Sequence, residues 1–368
     1  DVVGVQERLA LELARAIPAG VGSTGRLRLS DPEMDAMLAG GARWAVAQGY
    51  GSAEDLAHIE EQGCIAGADP QALSQRARER QREEMGTLGS GNHYLEVQRV
   101  DEVYDADAAA AFGIAVGTIA VSVHTGSRAL GHQIGTDYQS ELRRASEKYR
   151  IRVPEEDLAA APITSPEGRR YIAAVKAGIN CAFANRQALA GLIRGVFRDE
   201  LGLAPEGMRT LYEVGHNNLK LERHTIGGVA KELLVHRKGA TRAFAAGRPE
   251  MPARYRGVGQ PVLVGGTMGT CSFILVGTQR GMEETFGSSI HGAGRRTSRK
   301  QALREFRGER VIAELAGKGI AVRVYGASRV AQEAPGAYKD VERIVAVMEG
   351  AGVSRRVARL RPLVCVKG

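Results

Sequence analysis

A change of texture near Gly86 constrains the fold of this chain more than any other sequence feature. On its N-terminal side apolar residues recur at helical spacing, and the polar run 71–84 is typical of a solvated helix. On its C-terminal side, Gly-rich turns, a few helices and long insertions separate short β-like runs. This mixture favours an α+β fold over a repeating βαβ barrel. We predict a single domain, with a mostly helical arm at 1–85 and an α+β core of mixed β-sheets at 86–368.

The same patterns predict individual elements. Apolar spacing and terminal Pro, Gly or capping residues predict helices at Val2–Ile17, from Asp31 through Val46, at Gly168–Arg198, at Arg299–Leu315 and near Val341–Met348. The β-like runs predict strands at His93–Val100, Ile119–His124, Arg209–Val214, Lys231–Val235, Pro261–Val264, Cys271–Val276, Ile320–Val324 and Leu360–Val366.

Composition excludes several classes of protein. The 368 residues are 43% hydrophobic and 25% charged, which excludes a disordered chain or a coiled coil. No run approaches the ~20 apolar residues that a membrane-spanning helix needs. The net charge of +8 permits a polyanionic partner without demonstrating one. The four cysteines form no CxxC pair and no leader is evident, so we expect reduced, buried thiols and a cytoplasmic location.

Glycine and polar residues concentrate at the ends of the β-like runs, where loops held by a sheet usually carry function. The segments are GTLGSGNHYLEV at 86–97, VHTGSRALGH at 123–132, YEVGHNN at 212–218, VGGTMGTCS at 264–272 and SSIHGAGRRTSR at 288–299. Four of these five contain a histidine beside glycine, amide or hydroxyl residues.

Three of these histidines, His93, His124 and His216, lie at or beside the ends of predicted strands. Neutral imidazole is the commonest protein ligand for transition metals, so the three side chains could converge on an ion. The alternative is that each is an ordinary histidine bonded to a backbone carbonyl. The sequence has no HxxxH or HxH pair, and for any single histidine the ordinary role is favoured. We expect surface or structural roles for His58, His132, His224 and His236.

The HGAGRR loop has the features of a phosphate site. Its glycines let backbone N–H groups approach an anion, and a helix is predicted to start at about Thr297 or Ser298. His291, at the mouth of the loop, could attack phosphorus. The alternative is a tight glycine turn before a basic helix.

Two further segments are less specific. VGGTMGTCS suggests a phosphate or base cradle, but it lacks the Lys-Ser/Thr ending of a P-loop and the strand-to-helix context of a Rossmann fingerprint. HRKGATR at 236–242 suits a phosphodiester backbone, although an isolated cluster of this kind is more often a solvated group of charges.

Taken together, these segments resemble the RtcB family of RNA-splicing ligases. The motifs GTLGSGNHYLEV, VHTGSRALGH, GHNN, HRKGATRAF, GTMGT, HGAGR followed by SR, EAPGAYK and the terminal VKG occur in the family's order between about Pro18 and Gly368. The resemblance implies a deep metal and nucleotide cleft. It also implies that RNA 3′-phosphate or 2′,3′-cyclic phosphate ends are joined to 5′-hydroxyl ends in tRNA splicing or RNA repair. GTP, two Mn²⁺ ions and a GMP-histidine intermediate would serve the reaction, and archease is a possible helper protein.

The resemblance also implies roles for individual residues. His291 would be the guanylylated, catalytic histidine. The metal ligands would be His93, His124 and His216. Nucleotide contacts would come from Asn92, His93, Tyr94, Leu95, Glu96, His216, Asn217, Gly265, Gly266, Thr267, Met268, Ser272, His291, Gly292, Ala293, Gly294, Tyr338 and Lys367. Arg128, Lys238, Arg242, Arg295 and Arg299 would face the triphosphate or the RNA ends.

One departure from the family pattern bears on activity. The family's metal site also uses an Asp and a Cys from a D-x-x-C-G motif, which lies upstream of the region where this sequence starts. We expect this sequence to be part of a longer chain. One alternative is a paralogue that binds GTP or RNA ends without ligation, and another is a metal-dependent phosphodiesterase that opens cyclic phosphates. The smaller departures, at Thr267, Gly265, Ala129 and Ile290, should be tolerated.

Overall fold

The computed structural model of this chain describes residues 2–368, with thirteen α-helices and ten β-strands in that range. The helices are α1 (Gln6–Ala16), α2 (Asp31–Gly40), α3 (Ala42–Ala47), α4 (Ala53–Ala57), α5 (Gln75–Gln81), α6 (Ala106–Phe112), α7 (Ala129–Lys148), α8 (Pro166–Leu201), α9 (Gln279–Thr285), α10 (Arg299–Glu305), α11 (Gly308–Gly317), α12 (Ala327–Gln332) and α13 (Val341–Gly350). The strands are β1 (Tyr94–Val103), β2 (Ile119–His124), β3 (Asn217–Ile226), β4 (Val229–Lys238), β5 (Ala240–Arg242), β6 (Pro261–Val264), β7 (Ser272–Gly277), β8 (Ser288–Ile290), β9 (Ala321–Val324) and β10 (Ser354–Lys367).

The main sheet is built around the C-terminal strand. Its order is β2-β1-β10-β7-β6, with antiparallel neighbours, and β9 adds to β10 in parallel. Tyr94 of β1 pairs with Lys367 of β10 on one side and with His124 of β2 on the other. The register therefore brings residues from three distant parts of the sequence into one row at one end of the sheet.

The long helix α8 is the main support of this sheet. Ser165 caps its first turn by accepting the Gly168 N–H, Pro166 starts it, and Gly202 in the left-handed region ends it. One core cluster joins α8 and α1 to the inner face of the sheet, and it includes Leu13, Leu95, Leu189, Ile193 and Val366. A second cluster packs α2, α3 and α7 against the same helix. The helices of the predicted arm thus bury their apolar faces on α8.

These elements confirm the predicted α+β class, and several strands and helices match closely. The prediction was wrong at three places. Arg209–Val214 is not a strand and forms only an isolated bridge at Glu213. The helix from Asp31 breaks at Gly41, whose φ of 57° ends α2, and a Cβ there would lie 2.3 Å from the Gly63 carbonyl oxygen. The helix at Arg299–Leu315 is two helices, α10 and α11, which are separated by Phe306 and Arg307.

The structure also bears on the membrane and cysteine predictions. Over residues 2–368, no helix combines the length and the apolar character needed to cross a bilayer. All four cysteines are free; three are buried and Cys64 is half-buried.

Asn185 of α8 ties two loops of the site region to the helix. Its Oδ1 accepts the Gly86 N–H at 2.9 Å, and its Nδ2 donates to the carbonyls of Thr87 and Gly126, both at 3.2 Å. We predict that Asn185→Ala lowers the free energy of unfolding by about 2–4 kcal/mol, because buried backbone groups lose their partners. Chemical denaturation measures this loss. Arg198→Ala on the exposed side of α8 is the control, and an equal loss in both variants would contradict this role of Asn185.

Candidate functional site

Four histidines meet at one end of the sheet. His93 immediately precedes β1, His124 ends β2, His216 immediately precedes β3, and His291 follows β8. The ring centroid of His124 lies 5.7 Å from that of His93, 4.8 Å from that of His216 and 6.0 Å from that of His291. The rings of His216 and His291 stack with centroids 4.4 Å apart. The fold thus brings together all four histidines that the motifs predicted.

Hydrogen bonds define which nitrogens of these rings are free to react. The Nδ1–H of His291 donates to the Gly239 carbonyl oxygen at 2.6 Å, because a carbonyl can only accept. The lone pair of neutral His291 therefore lies on Nε2. The Nε2 atoms of His124 and His216 lie 2.8 Å apart. Since two lone pairs repel, one of these nitrogens must carry a proton unless a cation lies against both.

Burial keeps the four rings neutral. Desolvation, with a smaller contribution from the charge of Arg128, lowers the pKa of His93 to about 4. Desolvation and the neighbouring His291 lower the pKa of His216 to about 3. The pKa of His124 falls well below its ordinary value and that of His291 is also lowered, in both cases mainly because of burial. Neutral imidazole is the form that binds metals and attacks phosphorus.

The histidines fit a metal site in part. Nδ1 of His93 and Nδ1 of His216 are buried and form no hydrogen bond of good geometry, so each is a nitrogen that lacks a partner. However, no three His, Cys, Asp or Glu side chains within residues 2–368 are arranged to enclose an ion. The chain therefore supplies neutral nitrogen donors at this point, but its described residues do not complete a metal site.

A cavity of about 250 Å³ opens beside the histidines. Most of the predicted nucleotide contacts line it, and three cations, Arg295, Arg299 and Lys367, are among the lining residues. The lining residues are Asn92, Tyr94, Glu96, His124, Gly265, Gly266, Thr267, Met268, His291, Gly292, Ala293, Gly294, Arg295, Arg299, Glu333, Tyr338 and Lys367.

Two glycine loops pair to form one wall of this cavity. The Gly265 N–H donates to the His291 carbonyl at 3.2 Å, and the Ala293 N–H donates to the Gly265 carbonyl at 3.1 Å. The Gly266 N–H donates to Ser272 Oγ at 3.2 Å. A Cβ at Gly266 would lie 1.9 Å from the Cys271 carbonyl oxygen, so only glycine fits there. Ser272 thus supports the loop from behind and does not line this cavity.

Strand alternation decides which residues of β1 reach the cavity. Tyr94 and Glu96 face it, whereas Leu95 points to the opposite side and lies fully buried in the core with α1 and α8. The Leu95 side chain therefore does not line the cavity, and a contact between Leu95 and the nucleotide stays a prediction. Burial raises the pKa of Glu96 to about 7, against the opposing charge of Lys367 and a hydrogen bond from Gln98.

The other predicted contacts take different positions. His93, His216 and Asn217 do not line the cavity. Asn217 Oδ1 accepts the Gly239 N–H at 3.1 Å, and the Gly239 N–H also donates to the His216 carbonyl at 2.8 Å. Asn217 thus helps to hold the carbonyl group that orients His291.

The five predicted phosphate-binding cations are not equivalent. Arg295 and Arg299 line the cavity, and Lys238 is exposed at the end of β4, where its charge lowers the pKa of His291. Arg128 is mostly buried and donates to Thr87 Oγ1 at 2.9 Å. Arg242 is only 2% exposed and is held by two glutamates. Because Glu60 and Glu61 already neutralise it inside the core, the prediction that Arg242 faces RNA or triphosphate is wrong.

Motif reasoning missed two buried carboxylates. Glu333 contacts Arg295, Arg299, Tyr338 and Lys367, although the EAPGAYK motif that contains it was recognised. Glu213, within YEVGHNN, pairs with Arg186 of α8, whose Nε lies 2.6 Å from its Oε1. No sequence signal marks Arg186, because it lies in the middle of a long helix.

Comparison with known proteins defines the family. The family model described as tRNA-splicing ligase RtcB matches residues 1–368. The tRNA-splicing ligase RtcB of Archaeoglobus fulgidus is 51% identical over all of this chain and 77% of its own length. The corresponding proteins of Thermococcus kodakarensis and Pyrococcus horikoshii are each 49% identical, over 97% and 98% of this chain and 74% and 42% of their own lengths. The chain belongs to the RtcB family of tRNA-splicing ligases, which are RNA ligase enzymes.

The protonation states of the histidines can be measured directly. Because burial favours the neutral form, each of the four rings binds a proton only below the ordinary histidine pKa. We predict that His93, His124 and His216 remain neutral at about pH 6, where an ordinary histidine is largely protonated, and that His291 titrates below the reference peptide. Long-range ¹H–¹⁵N NMR of histidine-labelled protein measures this, with single His→Gln variants for assignment and a histidine peptide as reference. Protonation of His93 or His216 at about pH 6 would contradict the prediction.

Proposed function

We propose that this chain is a GTP- and Mn²⁺-dependent RNA ligase that acts through a GMP adduct on His291. It joins an RNA 3′-phosphate or 2′,3′-cyclic phosphate to a 5′-hydroxyl, on tRNA halves or broken RNA. The observation that carries the proposal is the position of His291. Its neutral ring carries its lone pair on Nε2, and His291 lines both the glycine-walled cavity and a second cavity of about 380 Å³, as do Tyr94, His124 and Gly265. A nucleotide and an RNA end could thus approach one histidine from two sides.

Each step of the proposed reaction forms one bond and breaks another. The Nε2 lone pair of His291 forms a bond to the α-phosphorus of GTP while the bond to the pyrophosphate oxygen breaks. Where the RNA ends in a 2′,3′-cyclic phosphate, water first bonds to its phosphorus, the bond to the 2′-oxygen breaks, and a 3′-phosphate and a 2′-hydroxyl result. An oxygen of the RNA 3′-phosphate then bonds to the α-phosphorus on His291, the P–N bond breaks, and His291 becomes neutral again. The 5′-hydroxyl oxygen finally attacks the RNA phosphorus, GMP leaves, and the hydroxyl proton passes to solvent. The Gly239 carbonyl keeps the reactive lone pair on Nε2 at the start of the cycle.

The surrounding residues favour phosphate at this point. Arg299, Lys367 and Lys238 supply positive charge around the bound phosphates. His93, His124 and His216 would supply part of the ligand set for Mn²⁺, which when bound would neutralise phosphate charge and lower the barrier to attack. Archease as a partner and a cytoplasmic location remain predictions.

A second function is favoured by one observation. Within residues 2–368 the histidines do not form a complete group of metal ligands. A chain that binds GTP or RNA ends without forming a covalent adduct is therefore the alternative. Covalent attachment of GMP to the chain distinguishes the two proposals.

Guanylylation tests the main proposal. We predict that incubation with GTP and Mn²⁺ adds one GMP to the chain, that acid removes it, and that His291→Ala abolishes it, because His291 Nε2 is the nitrogen that bonds to phosphorus. Intact mass measured under mildly basic conditions, where a phosphoramidate survives, detects the adduct. His236→Ala, on an exposed part of β4, is the matched control and should retain the adduct. An adduct of equal yield on His291→Ala would rule out this mechanism.

Metal content tests the histidine cluster independently of activity. We predict that His216→Ala weakens the affinity for Mn²⁺ by at least about tenfold, because the substitution removes a neutral nitrogen ligand. Mn²⁺ titration followed by electron paramagnetic resonance measures the loss, with His236→Ala again as control. Unchanged Mn²⁺ binding would remove His216 from the metal site.

A further inference from the structure

Glu333 is a buried carboxylate that interacts with several cationic side chains at once. It is 2% exposed, and its backbone follows α12, where Val330 and Ala334 are packed in the core. Its Oε1 accepts hydrogen bonds from Arg299 Nε at 3.0 Å and from Arg295 Nη1 at 3.2 Å. Its Oε2 accepts a short hydrogen bond from the Tyr338 hydroxyl and lies 3.9 Å from Lys367 Nζ. One negative charge thus faces three positive charges, and the cavity wall keeps a positive excess.

The two arginines on this carboxylate use their donors differently. Arg295 is committed to the protein: its Nε donates to the Thr297 carbonyl, its Nη2 to the Gln332 carbonyl, and its Nη1 also to Tyr338. Its guanidinium lies over the Tyr338 ring at 4.9 Å. Few of its N–H groups remain for a ligand. Arg295 therefore builds the cavity wall, although the family resemblance had suggested that it faces phosphate.

Arg299 is the opposite case. It donates only its Nε to Glu333, and its two Nη atoms make no hydrogen bond or ion pair with residues 2–368. Its side chain is 50% exposed. A Cβ placed on Gly91 would lie 2.8 Å from Nη2, so this nitrogen lies against the loop that leads to Asn92 and His93. Arg299 also lines the cavity, and both of its Nη groups are thus available to a ligand there.

We propose that Glu333 is a positioning residue that holds Arg299 as a preorganised fork for one phosphate group of the substrates. A guanidinium binds phosphate best through two parallel N–H donors, and Glu333 anchors the third edge so that both remain free. Without the anchor, a long side chain at the mouth of the cavity must be ordered when the ligand binds. The identity of the phosphate, carried by GTP or by the RNA end, rests on the proposed function.

The test compares ligands that differ only in phosphate, without Mn²⁺ and without turnover. In one arm, fluorescence anisotropy gives the ratio of Kd values for a fluorescein-labelled RNA decamer with a 3′-hydroxyl and with a 3′-phosphate. In the other, calorimetry gives the corresponding ratio for guanosine and GTP. We expect Glu333→Gln to lower one of these ratios about five- to tenfold. Loss in the first arm assigns the fork to RNA, and loss in the second assigns it to GTP.

A double-mutant cycle separates positioning from a general structural effect. Arg299→Lys keeps the charge but loses the fork, so it should lower the same ratio. Glu333→Gln should then cause little further loss in the Arg299→Lys background. Glu349→Gln, which removes a carboxylate paired with Arg356 at the surface, is the matched control and should change neither ratio. Thermal unfolding checks the fold of each variant; if Glu333→Gln does not fold, Glu333→Asp, which withdraws the carboxylate from Arg299, replaces it.

Three outcomes would overturn the proposal. Both Kd ratios could be unchanged in Glu333→Gln, or both could be unchanged in Arg299→Lys. The effects of the two substitutions on a ratio could also be additive. None of these depends on guanylylation. If the wild-type chain forms no GMP adduct, the proposed ligase activity is refuted. If Glu333→Gln nevertheless lowers the preference for the phosphate-bearing ligand, the positioning role is still supported.

Discussion

The site depends on polar contacts from one turn of α8. Asn185 binds backbone groups of Gly86, Thr87 and Gly126. The next residue, Arg186, donates to the Thr125 carbonyl at 2.9 Å and pairs with Glu213. Each contact ties one of the loops beside the site to α8. These loops carry three of the four clustered histidines, namely His93, His124 and His216. A helix built mostly for apolar packing thereby also sets the distances between groups that lie far apart in the sequence.

The same helix contributes to the charge state of the site. The positive charge of Arg186 disfavours protonation of His93 and His216, in addition to the larger effect of burial. It also opposes the burial that raises the pKa of Glu213 to about 7. One guanidinium thus favours an ionised carboxylate and neutral imidazoles side by side. In the proposed function, where the imidazoles present lone pairs to metal or phosphorus, this arrangement would avoid the need for a separate base.

The sequence predicted local features better than long-range ones. The strands Ile119–His124 and Pro261–Val264 are found at their predicted bounds, because short apolar runs ended by turn residues have few other structures open to them. The histidine cluster followed from family motifs and not from spacing, since its members are brought together only by strand pairing. The burial of Arg242 could not be foreseen, because Glu60 and Glu61 come from a distant segment. Strand alternation alone could have placed the Leu95 side chain on the face opposite Tyr94 and Glu96.

The hydrogen-bond partners of each arginine, both carboxylates and backbone carbonyls, decide which guanidinium groups are available to a ligand. Arg242 has two glutamates and is closed off inside the protein. Arg295 shares one glutamate and spends its other donors on backbone and Tyr338. Arg299 shares that same glutamate but keeps its Nη groups free. A motif of basic residues therefore specifies positive charge without specifying its use. Since Arg295 and Arg299 share Glu333, the other hydrogen bonds of each guanidinium decide whether its N–H groups are used within the protein or left free for a ligand.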